Sequence, residues 1–137
     1  MMNKNTRNNV NQFFSDWLLM LCLQHGIKPR DMLTTLSLNE VGHELFSIYL
    51  TVNSCNSECK EFLRKYYFEN KPMKLINQEM KISHDTSWKL KIKACNEFAS
   101  KFVEVQEQLN MKPVMDLRAK KEAPVIRFTS AFSMLSD

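Results

Sequence analysis

Large apolar residues recur at steps of three and four along most of this chain, the spacing that places side chains on one face of an α-helix. The first stripe begins at Val10 and predicts a helix to about Gln24, with Gly26 as its C-terminal cap and Pro29 close behind. The stripe consists of Val10, Phe13, Phe14, Trp17, Leu18, Leu21 and Cys22.

Leu19, Met20 and Leu23 widen the apolar face of this first helix beyond one stripe. Such a helix either lies at the centre of a bundle or covers a second surface, in a dimer or on a partner. We favour the bundle centre. The pattern then predicts a short helix over residues 31–38, and a longer one that Asn39 caps and that ends near Asn53.

Three more helical segments are predicted within residues 56–102. The first ends near Asn70, because Pro72 disfavours the helical conformation at Lys71. A short helix follows, with Met73, Ile76 and Met80 on one side. Residues 83–86 supply capping oxygens for the third segment.

The third of these segments carries a second kind of pattern. If Trp88, Ile92 and Cys95 point inward, the residues that point outward include Ser87, Lys89, Lys91 and Lys93. A short helix, a tight turn and a longer basic helix is the outline of a helix-turn-helix unit, whose second helix lies in the DNA major groove. An ordinary three-helix bundle with a solvated lysine face explains the same pattern.

The run YYFENKPMKLINQEMKISHDTSWKLKIKA resembles region four of bacterial sigma factors and the related phage regulators. In that family a Tyr-Tyr-Phe helix end precedes an Ile-containing helix, an apolar-x-Ile-Ser turn and a basic recognition helix. The matching residues are Tyr66, Tyr67, Phe68, Ile76, Met80, Ile82, Ser83 and Ala94. Among these relatives, the chain resembles most the small phage late-gene antitermination proteins of the Q type, which too are short chains that carry a region-four-like unit without the rest of a sigma factor.

The chain departs from the family pattern at two positions. Asn77 occupies the place of a small Ala. Trp88 is the predicted inward apolar residue after the turn, and it lies one position later than in the family pattern, as if the turn had gained a residue.

The resemblance implies a DNA-binding transcription regulator of phage or prophage type that acts with bacterial RNA polymerase, in late-gene antitermination if the Q-type likeness holds. We expect contacts in the major groove of double-stranded DNA and to its phosphates. The expected groove contacts are Thr86, Ser87, Lys89 and Lys91, and the expected phosphate contacts are Lys74, Lys81 and Lys93. Residues 59–67 and the N-terminal half would then face the polymerase.

Composition agrees with a small helical protein. Hydrophobic residues make up 44% of the chain and charged residues 25%, which is typical of a globular domain, and two glycines and four prolines leave few tight turns. The net charge of +4 is compatible with nucleic acid. The chain has no apolar run long enough for a membrane span and no cleavable leader, so we expect a cytoplasmic protein in a bacterial host.

Cysteine and histidine positions raise two alternatives. Cys22 with His25, and Cys55 with Cys59, are ligand types suited to zinc, but Cys22 and Cys59 also fit the apolar stripes of their helices. We expect four thiols and no metal or cofactor. With no local cysteine-protease signature and no glycine-rich phosphate loop, we also expect no enzyme activity.

The sequence therefore predicts an all-α helical bundle that contains a helix-turn-helix unit and ends in an irregular tail. Its predicted parts are a flexible N-terminus (1–9), an N-terminal helical half (10–54), the region-four-like unit (55–110) and an extended tail (111–137). The tail contains a possible short strand over residues 125–128 and is either loosely held or an arm that binds nucleic acid or polymerase. The competing function is a phage-encoded inhibitor that binds a host protein without DNA. The oligomeric state stays open, a homo-oligomer included.

Overall fold

The computed structural model of the chain describes residues 4–31 and 38–119, with side chains from 6 to 31 and from 43 to 119. Every regular element in these two ranges is helical, which confirms the predicted all-α bundle. None of the helices described is long and apolar enough to cross a membrane.

The first rod of the structure is α1 (Lys4–Gln12), a π-helical segment (Phe13–Leu18) and α2 (Leu19–His25) in direct succession. Gly26 ends it with φ 68°, and its N–H donates to the carbonyls of Cys22 and Leu23, so the predicted cap is confirmed. The prediction that residues 1–9 are flexible is wrong for residues 4–9, which are helical. The Thr6 side chain is buried there and accepts a hydrogen bond from the Ala119 N–H. A contact between residues so far apart in the sequence produces no local sequence pattern.

A single 3₁₀ turn (Pro29–Asp31) follows, and α3 (Leu38–Ser54) is the next helix. Leu45, Ile48 and Val52 are buried on its inner face, and its end lies one residue beyond the predicted Asn53. The predicted short helix over residues 31–38 falls almost entirely outside the described residues.

The second half begins with α4 (Ser57–Leu63), which continues into a second π-helical segment (Arg64–Phe68). The Asn56 side chain caps α4 by accepting a hydrogen bond from the Cys59 N–H at 2.9 Å. The predicted break before Pro72 is confirmed, and α5 (Met73–Met80) and α6 (His84–Gln108) complete the bundle.

The long helix α6 lies at the centre of the bundle and packs against α1, α3, α4 and α5. The rings of Phe98 and Phe102 on α6 pack against Phe13, with centroids 6.0 and 5.2 Å away, and Phe98 also meets Phe14 at 4.9 Å. The prediction of a central first helix is therefore wrong. That rod buries Phe13, Phe14, Leu18, Leu21 and Cys22, but Trp17, Leu19, Met20 and Leu23 remain exposed.

Residues 111–119 form neither helix nor strand, in agreement with the predicted irregular tail, but they are attached to the bundle. The Gln106 side chain donates to the Met115 carbonyl at 2.8 Å and accepts from the Met115 N–H at 2.9 Å. The Asn9 amide donates to the Leu117 carbonyl, and the Ala119 N–H donates to the Thr6 hydroxyl. The possible strand over residues 125–128 lies outside the described residues.

Candidate nucleic-acid interface

The connection between α5 and α6 consists of residues 81–83 alone. Lys81 adopts a left-handed conformation (φ 58°, ψ 49°) that ends α5, and the Ile82 N–H donates to the Asn77 carbonyl at 3.0 Å. The Ser83 hydroxyl then caps α6 by accepting from the Thr86 N–H at 3.1 Å. Two helices thus follow one another across a tight turn that is fixed by backbone and capping hydrogen bonds.

The register of α6 differs from the prediction. Ser87 is fully buried and Trp88 is 43% exposed, so the prediction that Trp88 points inward and Ser87 outward is wrong. Ile92 is only half-buried. The inner face at this end of the helix is formed by Ser87, Leu90, Lys91, Ala94 and Cys95.

The sizes of the side chains explain this register. Ser87 and Ala94 are small, so the neighbouring helices can approach α6 closely along that face. The Ser87 hydroxyl needs no partner across the interface, because it donates to the His84 carbonyl of its own helix at 2.9 Å. The Trp88 indole lies at the edge of the interface, where the Arg7 guanidinium covers its ring at 4.8 Å.

Two of the seven predicted DNA contacts are therefore not at the surface. Ser87 has no exposed surface, and Lys91 is 7% exposed. The Lys91 ammonium donates to the Tyr66 hydroxyl at 3.1 Å and lies 4.5 Å from the centre of the Tyr66 ring. The expected groove contacts by Ser87 and Lys91 are corrected on this ground.

The other five predicted contacts are exposed. Thr86, Lys89 and Lys93 lie on α6, Lys74 lies on α5, and Lys81 lies in the turn between the two helices. None of these four lysines forms an ion pair with another described residue. α5, the turn and the first turns of α6 therefore carry four exposed positive charges, and the acidic residue in the first turn of α6 is the exposed Asp85.

A chain of ion pairs connects α5 to the end of the second π-helical segment. The Lys65 ammonium, which is nearly buried, lies 2.6 Å from the Glu79 carboxylate, and Lys71 lies 2.9 Å from the same group. Hydrogen bonds from Lys65 and then from Lys71 lower the pKa of the Glu79 carboxyl. The charged form of Glu79 is thus stabilised by two cations, and it holds α5 in place.

Comparison with known proteins gives no relative. No family model, curated protein or solved structure matches the chain. The functional assignment therefore depends on the geometry and charge of the α5–α6 pair and on the resemblance of residues 66–94.

The four cysteines are thiols, as predicted, and all are buried. Burial raises the pKa of the Cys22 thiol to about 11. Burial, with a smaller contribution from Glu97, raises the pKa of the Cys55 and Cys59 thiols to about 12. Among the residues with described side chains, no three His, Cys, Asp or Glu side chains converge as a metal site would require.

Residues 59–67, which the resemblance assigned to polymerase contact, offer little apolar surface. Cys59, Phe62 and Leu63 have no exposed surface, so the apolar stripe of α4 belongs to the core of the bundle. Large exposed apolar side chains lie instead on the first rod, where Leu23 is 74% and Leu19 48% exposed.

Arg7 is a residue that the sequence pattern did not single out. It lies on α1 in a stretch that looked flexible, and its contact with Trp88 joins two helices that are remote in sequence. No local spacing contains a signal for such a pair.

Proposed function

We propose that the protein binds double-stranded DNA, with α5 and α6 acting as a helix-turn-helix unit and the exposed side of α6 entering the major groove. The observation that carries this proposal is the set of four exposed lysines on α5, the turn and α6 that form no ion pair with any described residue. Lysine ammonium groups suit phosphate oxygens, and exposed lysines that form no ion pair with a described residue favour an anionic partner.

In this arrangement Thr86 and Lys89 contact base edges at the leading end of α6. Lys93 lies one turn further on, and the phosphates on the α5 side are bound by Lys74 and Lys81. The resemblance of residues 66–94 to region four of sigma factors supports the more specific role. We infer a transcription regulator of phage or prophage type that acts with bacterial RNA polymerase, as a late-gene antiterminator on the Q-type likeness.

DNA binding is tested by electrophoretic shifts against random and phage-derived duplexes at several salt concentrations. We expect affinity to fall steeply with salt, because each phosphate contact releases counterions. Lys89→Glu is expected to abolish binding, since it replaces a groove-facing cation by an anion. The matched control is Lys112→Glu, an equal charge change beyond the far end of α6, roughly 30 Å along the helix from Lys89.

The control variant should bind as the wild type does. An affinity that changes neither with salt concentration nor with Lys89→Glu would contradict the DNA assignment. A pull-down from bacterial lysate tests the polymerase partner separately, because recovery of polymerase subunits does not depend on DNA when nuclease is present.

A second candidate function is supported by the exposed apolar side chains of the first rod. Trp17, Leu19, Met20 and Leu23 are each at least 37% exposed, and exposed apolar clusters of this kind mark protein contacts. On this alternative the protein is an inhibitor that binds a host protein without DNA, or it self-associates through this face. Leu23→Glu should then abolish partner capture or dimerisation, whereas Lys89→Glu should change neither.

A further inference from the structure

Two cations share one aromatic ring at the leading end of α6. The Arg7 guanidinium lies 4.8 Å and the Lys91 ammonium 5.5 Å from the centre of the Trp88 indole. Neither cation forms an ion pair with another residue in the described ranges. The ring therefore lies among positive charge that has no carboxylate partner in that part of the chain.

The two cations differ in what they can reach. Lys91 is buried and its ammonium already donates to the Tyr66 hydroxyl, so it cannot contact a bound molecule directly. Arg7 is half-buried, and the structure assigns no hydrogen-bond acceptor to it within the described residues. The guanidinium has five N–H donors, so donors remain for an external acceptor.

Arg7 and Trp88 lie close to the exposed lysines of α6. Trp88 directly precedes Lys89 on α6, and the ring lies toward α1, whereas Lys74 and Lys81 belong to α5 and its turn. A helix in the major groove lies between two phosphate backbones. The α5 lysines supply cations for one of them, and Arg7, which reaches Trp88 from α1, supplies a cation for the other.

We propose that Arg7 binds a backbone phosphate of DNA on the α1 side of α6, with Trp88 as the positioning residue that holds the guanidinium flat and in place. This inference rests on the proposed function. The buried charge of Lys91 adds positive potential at the same point, which favours an anion over a neutral partner. A planar guanidinium braced on an aromatic ring loses little freedom when it binds phosphate.

The test is the salt dependence of DNA binding for Arg7→Gln in the full-length chain. Loss of one phosphate contact should make the slope of log K against log salt shallower by about 0.9, equivalent to about eightfold weaker binding at 0.1 M salt. Arg30→Gln is the matched control, because Arg30 is an exposed arginine in the 3₁₀ turn and its loss changes the net charge equally. It should leave the slope unchanged.

Substitutions of Trp88 separate positioning from folding. Trp88→Phe keeps a ring beneath Arg7 and should bind as the wild type does, whereas Trp88→Ala should weaken binding severalfold. Arg7→Lys keeps the charge and should preserve the slope. Trp88→Phe and Arg7→Lys also serve as folded references if Arg7→Gln lowers the thermal stability.

The outcomes distinguish the two proposals. If wild-type binding is steep in salt and is abolished by Lys89→Glu, but Arg7→Gln has the slope of Arg30→Gln, then DNA binding stands and the Arg7 contact is refuted. If the wild type shows no salt-dependent binding, the proposed function fails and the Arg7 contact fails with it.

Discussion

Ser87 and Trp88 are neighbours on α6 and have opposite surroundings, the small hydroxyl fully buried and the large indole at the surface. Two stripes at helical spacing run along this part of the sequence. One passes through Trp88 and Ile92, the other passes through Ser87, Leu90 and Ala94, and Cys95 is buried. Hydrophobicity alone favours the first, because it contains the largest apolar residues. Close packing of the neighbouring helices selects the second, which no single-sequence pattern encodes.

Lys91 shows why the sequence predicted the positions of only some of the lysines of α6 correctly. A lysine is expected at the surface, but its four-carbon stem is apolar and can cover a ring while the ammonium finds a polar partner. Here the partner is the Tyr66 hydroxyl at 3.1 Å. Lys89 and Lys93 contact no ring of a described residue, and both are exposed as predicted.

The register of α6 predicts a difference in stability between adjacent substitutions. Ser87→Leu should lower the free energy of unfolding by about 1–3 kcal/mol, because a larger side chain overpacks a closed interface. The matched control Lys89→Leu introduces the same residue at an exposed position and should change it by no more than about 0.5 kcal/mol. Urea denaturation of both variants measures the difference. Equal values would contradict the observed register.

At the scale of the elements, α5 is a short helix whose attachment depends on charge as well as on packing. Its buried apolar contact is Ile76, while Glu79 on the same helix is bound by Lys65 and Lys71. The sequence predicted α5 and its breaks because proline and capping residues are local signals. It did not predict the ion pairs, since their partners come from the preceding segment and meet only in the folded chain.

The Glu79 ion pairs predict how stability depends on pH. Because the pKa of Glu79 is lowered in the folded protein, its charged form stabilises the fold. This contribution is complete above the ordinary glutamate pKa of about 4.3 and is lost as pH falls through the lowered value. Glu79→Gln should therefore be less stable than the wild type near pH 7, and the difference should shrink toward pH 3.

Chemical denaturation across pH 3–7 measures this effect. Glu104→Gln is the control, because Glu104 is exposed on α6 and forms no ion pair with another described residue. Its stability should follow the wild-type profile. A Glu79→Gln curve parallel to the wild type over the whole range would show that these ion pairs contribute nothing to folding.

At the scale of the whole molecule, the sequence predicted the helices better than it predicted which of them is central. Each helix has a local stripe, a cap or a proline that marks it, and the observed ends agree with these signals except at the first helix, which begins at Lys4 and not near Val10. The central position of α6 depends on contacts among remote segments. The same is true of the attachment of residues 111–119 to α1, which converts an expected loose tail into part of the bundle.

The segment 111–119 gives the last prediction. Leu117 is buried, Met115 packs against the core, and their backbones bond to Asn9 and Gln106. A chain that ends at residue 110 loses all of these contacts, whereas one that ends at residue 119 keeps them. Burial of one leucine contributes about 1.5–3 kcal/mol and each hydrogen bond about 1 kcal/mol, so the shorter chain should be less stable by about 3 kcal/mol or more.

Urea midpoints of the two truncated chains test this attachment. Leu117→Ala in the chain that ends at residue 119 should reproduce about 2 kcal/mol of the loss, because it removes the buried side chain and keeps the backbone hydrogen bonds. Equal midpoints for the two truncations would mean that the segment adds no stability in solution. A large loss of stability would show that both α6 and residues 111–119 stabilise α1. Their contacts would then explain why residues 4–9 are helical and why Arg7 lies over Trp88.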